Sequence, residues 1–175
     1  MLNSVGNMMQ SVLLICIMSL ASALTFRQGK LTDVPVIAAT LAKNLMNPLS
    51  VQPDRFEVAT DTGGGRLGWG QLKPLGGDGL WELSSIFVVE SRRGEGVGSA
   101  VVRRLLAKHV EAGRRASDVY LLTLAKTRGW YAGLGFDDAP AVPGALALEV
   151  AAGRLVTAAI GEELVVLRGN EEDPG

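Results

Sequence analysis

Three glycines at alternate positions, Gly94, Gly96 and Gly98, separate an apolar run from an amphipathic one in the stretch SRRGEGVGSA. A chain that passes here from a strand into a helix leaves the first-turn amides of that helix without intrahelical partners, at the positive end of its dipole. Glycine removes the Cβ atoms that would obstruct a sharp turn or an approaching anion. The order strand, glycine loop, helix therefore predicts an α/β fold whose helix N-terminus can seat a phosphate or pyrophosphate. Two familiar loops of this kind do not fit. A Walker loop ends in Gly-Lys-Ser/Thr, and here Gly98 is followed directly by Ser99. A G-x-G-x-x-G fingerprint set on Gly94 and Gly96 meets Ser99 where its third glycine belongs, and Glu111, near the expected acidic position, falls at the tail of the predicted helix. Taken alone, the loop can still be read as a tight structural turn.

The flanking pattern supplies the rest of the fold. Residues 24–29 read as a short strand, and a helix over 34–46 follows, capped by Thr32 or Asp33, with Pro35 in its first turn. Two prolines break the chain at 47–54. Alternation over 55–61, a triple-glycine turn and the run 66–75 predict a hairpin, and 80–90 is a longer strand. The helix after the glycine loop buries Val97, Val101, Leu105 and Val110 and turns Arg103, Arg104 and Lys108 outward. A buried strand over 117–126, a short helix ended by Gly135, a helix over 144–161, a strand over 162–168 and an acidic tail from 170 complete the chain. The fold class is α/β: a single mixed, mostly antiparallel sheet flanked by helices.

Composition narrows the function. At 175 residues, 47% hydrophobic and 20% charged, the chain is one folded domain. A net charge of −1 gives no general attraction to nucleic acid or membrane surfaces, and 5% aromatics disfavour a base-stacking platform. Cys16 and His109 are the sole residues of their kinds, too few for a disulfide framework or a Cys/His zinc site. Residues 8–23 carry no charge, have an apolar centre at 12–20 too short for an ordinary membrane span, and end in Ala21-Ser22-Ala23. That pattern predicts a targeting peptide over 1–23, a domain over 24–169 and a secretory destination. The junction ASALTF also resembles the Ala-Ser-Ala-Phe junction of bipartite plastid signals, which implies a plastid destination, and a buried N-terminal helix in a cytoplasmic protein is the alternative.

The segment IFVVESRRGEGVGSAVVRRLL resembles the acyl-CoA signature of the GNAT superfamily of N-acyltransferases, Arg/Gln-x-x-Gly-x-Gly/Ala after a strand, through Arg93, Gly96 and Gly98. WYAGLGF resembles the superfamily's second signature through Trp130, Tyr131, Gly135 and Phe136. The resemblance implies acetyl-CoA as cosubstrate and a primary amine, small or on a protein, as acceptor. It implies a strand that parts from its neighbour, with the backbone of Ile86, Phe87 and Val88 pairing with the pantetheine arm. Pyrophosphate would then lie on the amides of Arg93, Gly94, Glu95, Gly96, Val97, Gly98 and Ser99, with Arg92 adding charge. Tyr131 matches the tyrosine that protonates the departing thiolate, and Glu82, six residues before Val88, matches the glutamate that serves as base in the histone acetyltransferases. Period-two alternation expects Glu82, Ser84, Ile86 and Val88 on one strand face. Glu57, Glu90 and a water relay are the alternative bases. Leu124 stands where many members carry asparagine, which implies that the contact to the cofactor is either lost or replaced by Thr127 or Arg128. Trp69 and Trp81 are read either as core or as walls of an acceptor cleft, and His109 as a packing or surface residue. Two other functions remain open: a catalytically inactive acyl-CoA-binding module, and a nucleotide-binding protein of another fold.

Overall fold

The computed structural model describes residues 24–76 and 78–171. The targeting peptide expected over 1–23, with Cys16, and the end of the acidic tail lie outside the described residues.

Seven strands form one sheet in the order β1-β2-β3-β4-β5-β7-β6. They are β1 (Thr25–Gln28), β2 (Phe56–Thr60), β3 (Arg66–Leu75), β4 (Leu80–Val88), β5 (Val119–Leu124), β6 (Phe136–Asp138) and β7 (Leu164–Gly169). Every neighbouring pair is antiparallel except β4 with β5. The helices are α1 (Val34–Lys43), α2 (Val97–Glu111), α3 (Arg128–Ala132) and α4 (Ala147–Ala159). The expected mixed sheet flanked by helices is thus the observed one. β6 was not anticipated: its three residues are too few to show alternation, and only pairing with β7 defines it.

One sheet face is covered by α1, whose Ile37 and Leu41 bury against Phe56, Val58 and Trp69, and by α4 with the turn before it, where Val150 and Leu146 pack with Leu75 and Tyr120. The opposite face carries α2, with Val97, Val101, Val102, Leu105 and Leu106 packed on Leu72, Leu83, Val119 and Leu121. Each amphipathic helix buries one stripe, and the burial of that stripe holds the three layers together.

Asp33 does not cap α1 as expected. Its carboxylate is fully buried and accepts from Arg27 at 2.7 and 2.9 Å, from Arg66 Nε at 2.5 Å, and from the Lys30 amide at 2.8 Å. The competing guanidinium donors win because they satisfy a full negative charge, whereas a helix amide offers only a partial one. The result is an ionic pin that ties the start of α1 to β1 and β3.

A second departure lies inside β4. Ser85 has φ of 59°, a left-handed value rare for a non-glycine residue, and the β3–β4 register slips beside it. Before the slip Glu82 faces Lys73 and Ser84 faces Gln71; after it Phe87 faces Trp69 and Val88 faces Gly68. Glu82 and Ser84 therefore share the face of α1 and α4, whereas Ile86 and Val88 pack beneath α2. The bulge inserts one residue and reverses the alternation, which corrects the single-face expectation.

Candidate functional site

β4 and β5 are hydrogen-bonded at two register positions alone, Trp81 with Val119 and Glu82 with Tyr120. Beyond them the strands part. β4 runs on through Val88 paired with β3, and β5 through Leu124 paired with β7, so a cleft opens in the middle of the sheet. Unpaired backbone on facing strand edges must find other partners, and an extended polar chain is the natural one.

The glycine loop stands at the mouth of this cleft. Gly94 and Gly96 have φ of 82° and 81°, and a Cβ on either would meet nothing within 4 Å. They are glycines because of the backbone conformation, not for lack of room. α2 begins directly after Gly96, and its first internal bond runs from the Ala100 amide to the Gly96 carbonyl at 3.0 Å. The amides of Val97, Gly98 and Ser99 precede that bond and have no partner within the helix. Gly98 is needed for a different reason: a Cβ there would lie 3.3 Å from both Trp130 and Val88. Trp130 closes over the helix start, donating from Nε1 to Ser99 Oγ at 3.2 Å, so the two sequence signatures touch.

The two arginines before the loop are engaged within the protein. Arg92 pairs with Glu95 at 2.8 Å, and Arg93 Nε donates to the Val88 carbonyl at 3.3 Å. Arg93 thereby fastens the loop to the end of β4, and the anion-binding capacity rests chiefly on backbone amides.

Glu82 occupies the apex, the last paired position before β4 and β5 part. It is 7% exposed and lies 2.8 Å from Lys73 Nζ, which also reaches Glu149 of α4 at 3.4 Å. Burial pushes the Glu82 carboxyl up to about 7, against the opposing hydrogen bond and charge of Lys73. Burial alone would lower Lys73, but the bond to Glu82 and the two carboxylate charges hold it above its ordinary value. On the same face, Gln71 Nε2 donates to Ser85 Oγ at 3.1 Å and so props the bulge. Gln71 Oε1, Ser84 Oγ and Trp69 Nε1 are buried without a hydrogen-bond partner. These atoms form a polar seam in an otherwise apolar layer, the kind of arrangement that a bound polar group completes.

Tyr131 of α3 is 8% exposed, edge-on to Trp130 at 4.6 Å and to Phe136 at 5.9 Å. Burial raises its phenol above the ordinary value, so the proton stays on at neutral and moderately alkaline pH. Glu57 points to the α2 face, paired with Lys108, and Glu90 is exposed in the turn after β4. Neither belongs to the cleft apex. Thr127 bonds to Thr123 and to the Leu124 carbonyl, and Arg128 pairs with Asp138 at 3.1 Å, so both expected substitutes for asparagine are already partnered.

Residues 52–138 match the family model described as an acetyltransferase (GNAT) domain. The chain carries a GNAT acetyltransferase domain. Solved structures show the same fold. N-acetylglutamate synthase from Neisseria gonorrhoeae, complexed with coenzyme A and L-arginine, superposes with a TM-score of 0.62 at 18% identity, over 85% of this chain and 34% of that one. The GNAT chain thus spans about a third of that synthase. Rv2747 from Mycobacterium tuberculosis, in complex with CoA, gives 0.60 at 21% identity over 82% and 98% of the two chains. Nourseothricin acetyltransferase gives 0.59 at 20% identity over 86% and 99%. No curated protein matches the sequence. The family and fold set aside the nucleotide-binding alternative of another architecture.

Sequence reading of this GNAT domain missed Gln71, Lys73, Ser85 and Glu149. The pair Ser84-Ser85 in the middle of an apolar strand was the available signal for the bulge. Lys73 and Glu149 are 76 positions apart, and nothing local announces their contact.

Proposed function

We propose that this domain transfers an acetyl group from acetyl-CoA to a primary amine by direct attack in a ternary complex. The observation that carries the reading is the cleft between β4 and β5 opening beside the free amides at the start of α2. One element offers an unpaired strand edge for the pantetheine amides, the other a seat for pyrophosphate. In this reading the backbone of Ile86, Phe87 and Val88 lines the thioester arm, and the amides from Arg93 to Ser99 hold the phosphates. An amide near Val88 polarises the thioester carbonyl.

The chemistry requires three acts of the chain. Glu82, at the apex, takes a proton from the acceptor ammonium; a carboxyl poised near 7 suits that task at neutral pH. The neutral amine forms its bond to the thioester carbon, the carbon–sulfur bond breaks, and Tyr131 gives its proton to the leaving thiolate; the second proton that the nitrogen sheds on becoming an amide restores the Tyr131 phenol, and Glu82 releases the first to solvent. The partnerless acceptor atoms Gln71 Oε1 and Ser84 Oγ face the same side as Glu82 and suit an incoming ammonium.

Turnover tests the reading: release of free CoA from acetyl-CoA across a panel of primary amines. Tyr131→Phe, which keeps the packing against Trp130 and Phe136, is expected to lower kcat about tenfold or more, given typical gains from a positioned acid. Unchanged turnover at every pH would remove Tyr131 from the mechanism. An inactive acyl-CoA-binding module is the second reading, favoured by Leu124 and by the ion pair that occupies Glu82. Saturable acetyl-CoA binding without turnover on any amine would select it.

A further inference from the structure

At the far end of α2 from the glycine loop lies a second cavity of about 270 Å³, between that helix and the β1–β2 side of the sheet. A rise of about 1.5 Å per residue puts Lys108 roughly 16 Å along the helix from Val97, well away from the acyl cleft. Arg55, Glu57, Trp81, Lys108, His109 and Arg114 are among its walls.

The polar groups here are mismatched within the protein. Arg55 and Arg114 have no acidic partner within 4 Å among the described residues, and Asp54, an exposed carboxylate on the same wall, has no basic one. Arg114 instead lies 4.2 Å over the Trp81 ring, which in turn meets His109 edge-on at 5.2 Å. Deeper, Glu57 is 3% exposed; Lys108 pairs with its Oε1, while Oε2 has no hydrogen-bond partner and sits 3.8 Å from Arg104. His109, 2% exposed, lies with Nε2 3.2 Å from the Arg115 carbonyl and so donates there, which leaves Nδ1 a buried acceptor without a donor. Burial also lowers the His109 pKa, keeping the ring neutral.

The cavity therefore combines cations lacking anions with acceptors lacking donors. A simple anion would match Arg55 and Arg114 but bring like charge toward Glu57. A simple amine would match Glu57 and His109 but face the guanidinium groups. A molecule with an ammonium at one end and a carboxylate at the other satisfies both sets, with its body against Trp81 and Leu105. The volume falls just under the roughly 300–1,000 Å³ of drug-sized pockets, which suits a small metabolite.

We propose that this cavity is a binding site for a free α-amino acid, separate from the acyl cleft and independent of the acetyl-transfer reading. The test is calorimetric titration of the full chain with the twenty common L-amino acids, then with the deaminated acid and the decarboxylated amine of the best binder. At least one amino acid is expected to bind, each one-ended analogue about tenfold or more weaker, in line with loss of charge-assisted hydrogen bonds. Arg55→Ala and Arg114→Ala, both on the rim, should each weaken binding by a similar factor while the variants stay folded by circular dichroism. Three results would overturn the site: no binding by any amino acid, equal binding by either one-ended analogue, or binding that survives both arginine substitutions.

Discussion

Replacing Glu82 by glutamine is expected to lower kcat by roughly 100- to 10,000-fold, the range for loss of a general base. The pH profile is the sharper readout. A carboxyl raised to about 7 by burial must lose its proton before it can accept one from the amine, so the wild-type rate climbs as pH rises through that region. Glutamine has no such titration, and the residual rate of Glu82→Gln should lack this limb. Because folding raises this pKa, the protonated carboxyl also favours the native state, and that contribution fades as pH rises from the ordinary carboxylate range toward 7. Glu82→Gln should therefore show a flatter dependence of stability on pH over the same window. Both effects come from one cause, a carboxyl beneath α4 beside Lys73 and Glu149. Lys73→Met removes the neutralising cation and should push the pH limb higher; a profile that does not move would detach Glu82 from catalysis.

Asp33→Ala is expected to produce the largest loss of stability, about 3 kcal/mol, since breaking a buried ion pair strands the remaining charge. For a domain of this size that corresponds to a fall in Tm of roughly 6–12 °C. Asp33 holds Arg27 and Arg66 together and takes the Lys30 amide, so its removal leaves two guanidinium groups facing each other under the start of α1. The Arg27 bond, joined by those of Arg66 and Lys30, holds the Asp33 carboxyl below its ordinary range despite its burial. Its stabilisation is thus complete above the unfolded carboxylate pKa near 4 and is lost as pH falls below it. Asp33→Asn should unfold with less pH dependence in that acidic window. A Tm within 2 °C of wild type would show that the pin contributes little.

The features that could be read from the chain were those written in local pattern. The hairpin partner over 66–75 follows from a triple-glycine turn between two alternating runs, and β3 occupies just that range. The turn at the glycine loop was legible because the chain there takes positive φ at Gly94 and Gly96, a conformation that favours residues without a Cβ. What was not legible depends on contacts distant in sequence or on a single backbone angle. Alternation predicts nothing about a serine at φ 59°, so the reversal of faces at Ser85 was hidden, and with it the company Glu82 keeps. Asp33 looked like a helix cap because cap residues are local; its carboxylate is instead shared among Arg27, the Lys30 amide and Arg66, the last of them 33 positions away. Glu57, weighed as a base, and His109, read as a packing or surface residue, are both buried in the wall of a cavity lined from β1, β2, β3, β4, α2 and the loops beside them, a grouping that periodicity does not announce.

The central claim, that acyl-CoA occupies the cleft between β4 and β5 with its phosphates on the start of α2, is tested most directly by titrating acetyl-CoA into the wild-type chain and into Gly96→Val. Valine at φ 81° costs about 1–3 kcal/mol of backbone strain and redirects the amides, while the open space around Gly96 leaves the core undisturbed. The account predicts saturable binding of acetyl-CoA to wild type, no competition from ATP or NAD, and an affinity at least tenfold weaker in a folded Gly96→Val. Absence of acetyl-CoA binding to the wild-type chain, or equal affinity in the two proteins, would contradict it.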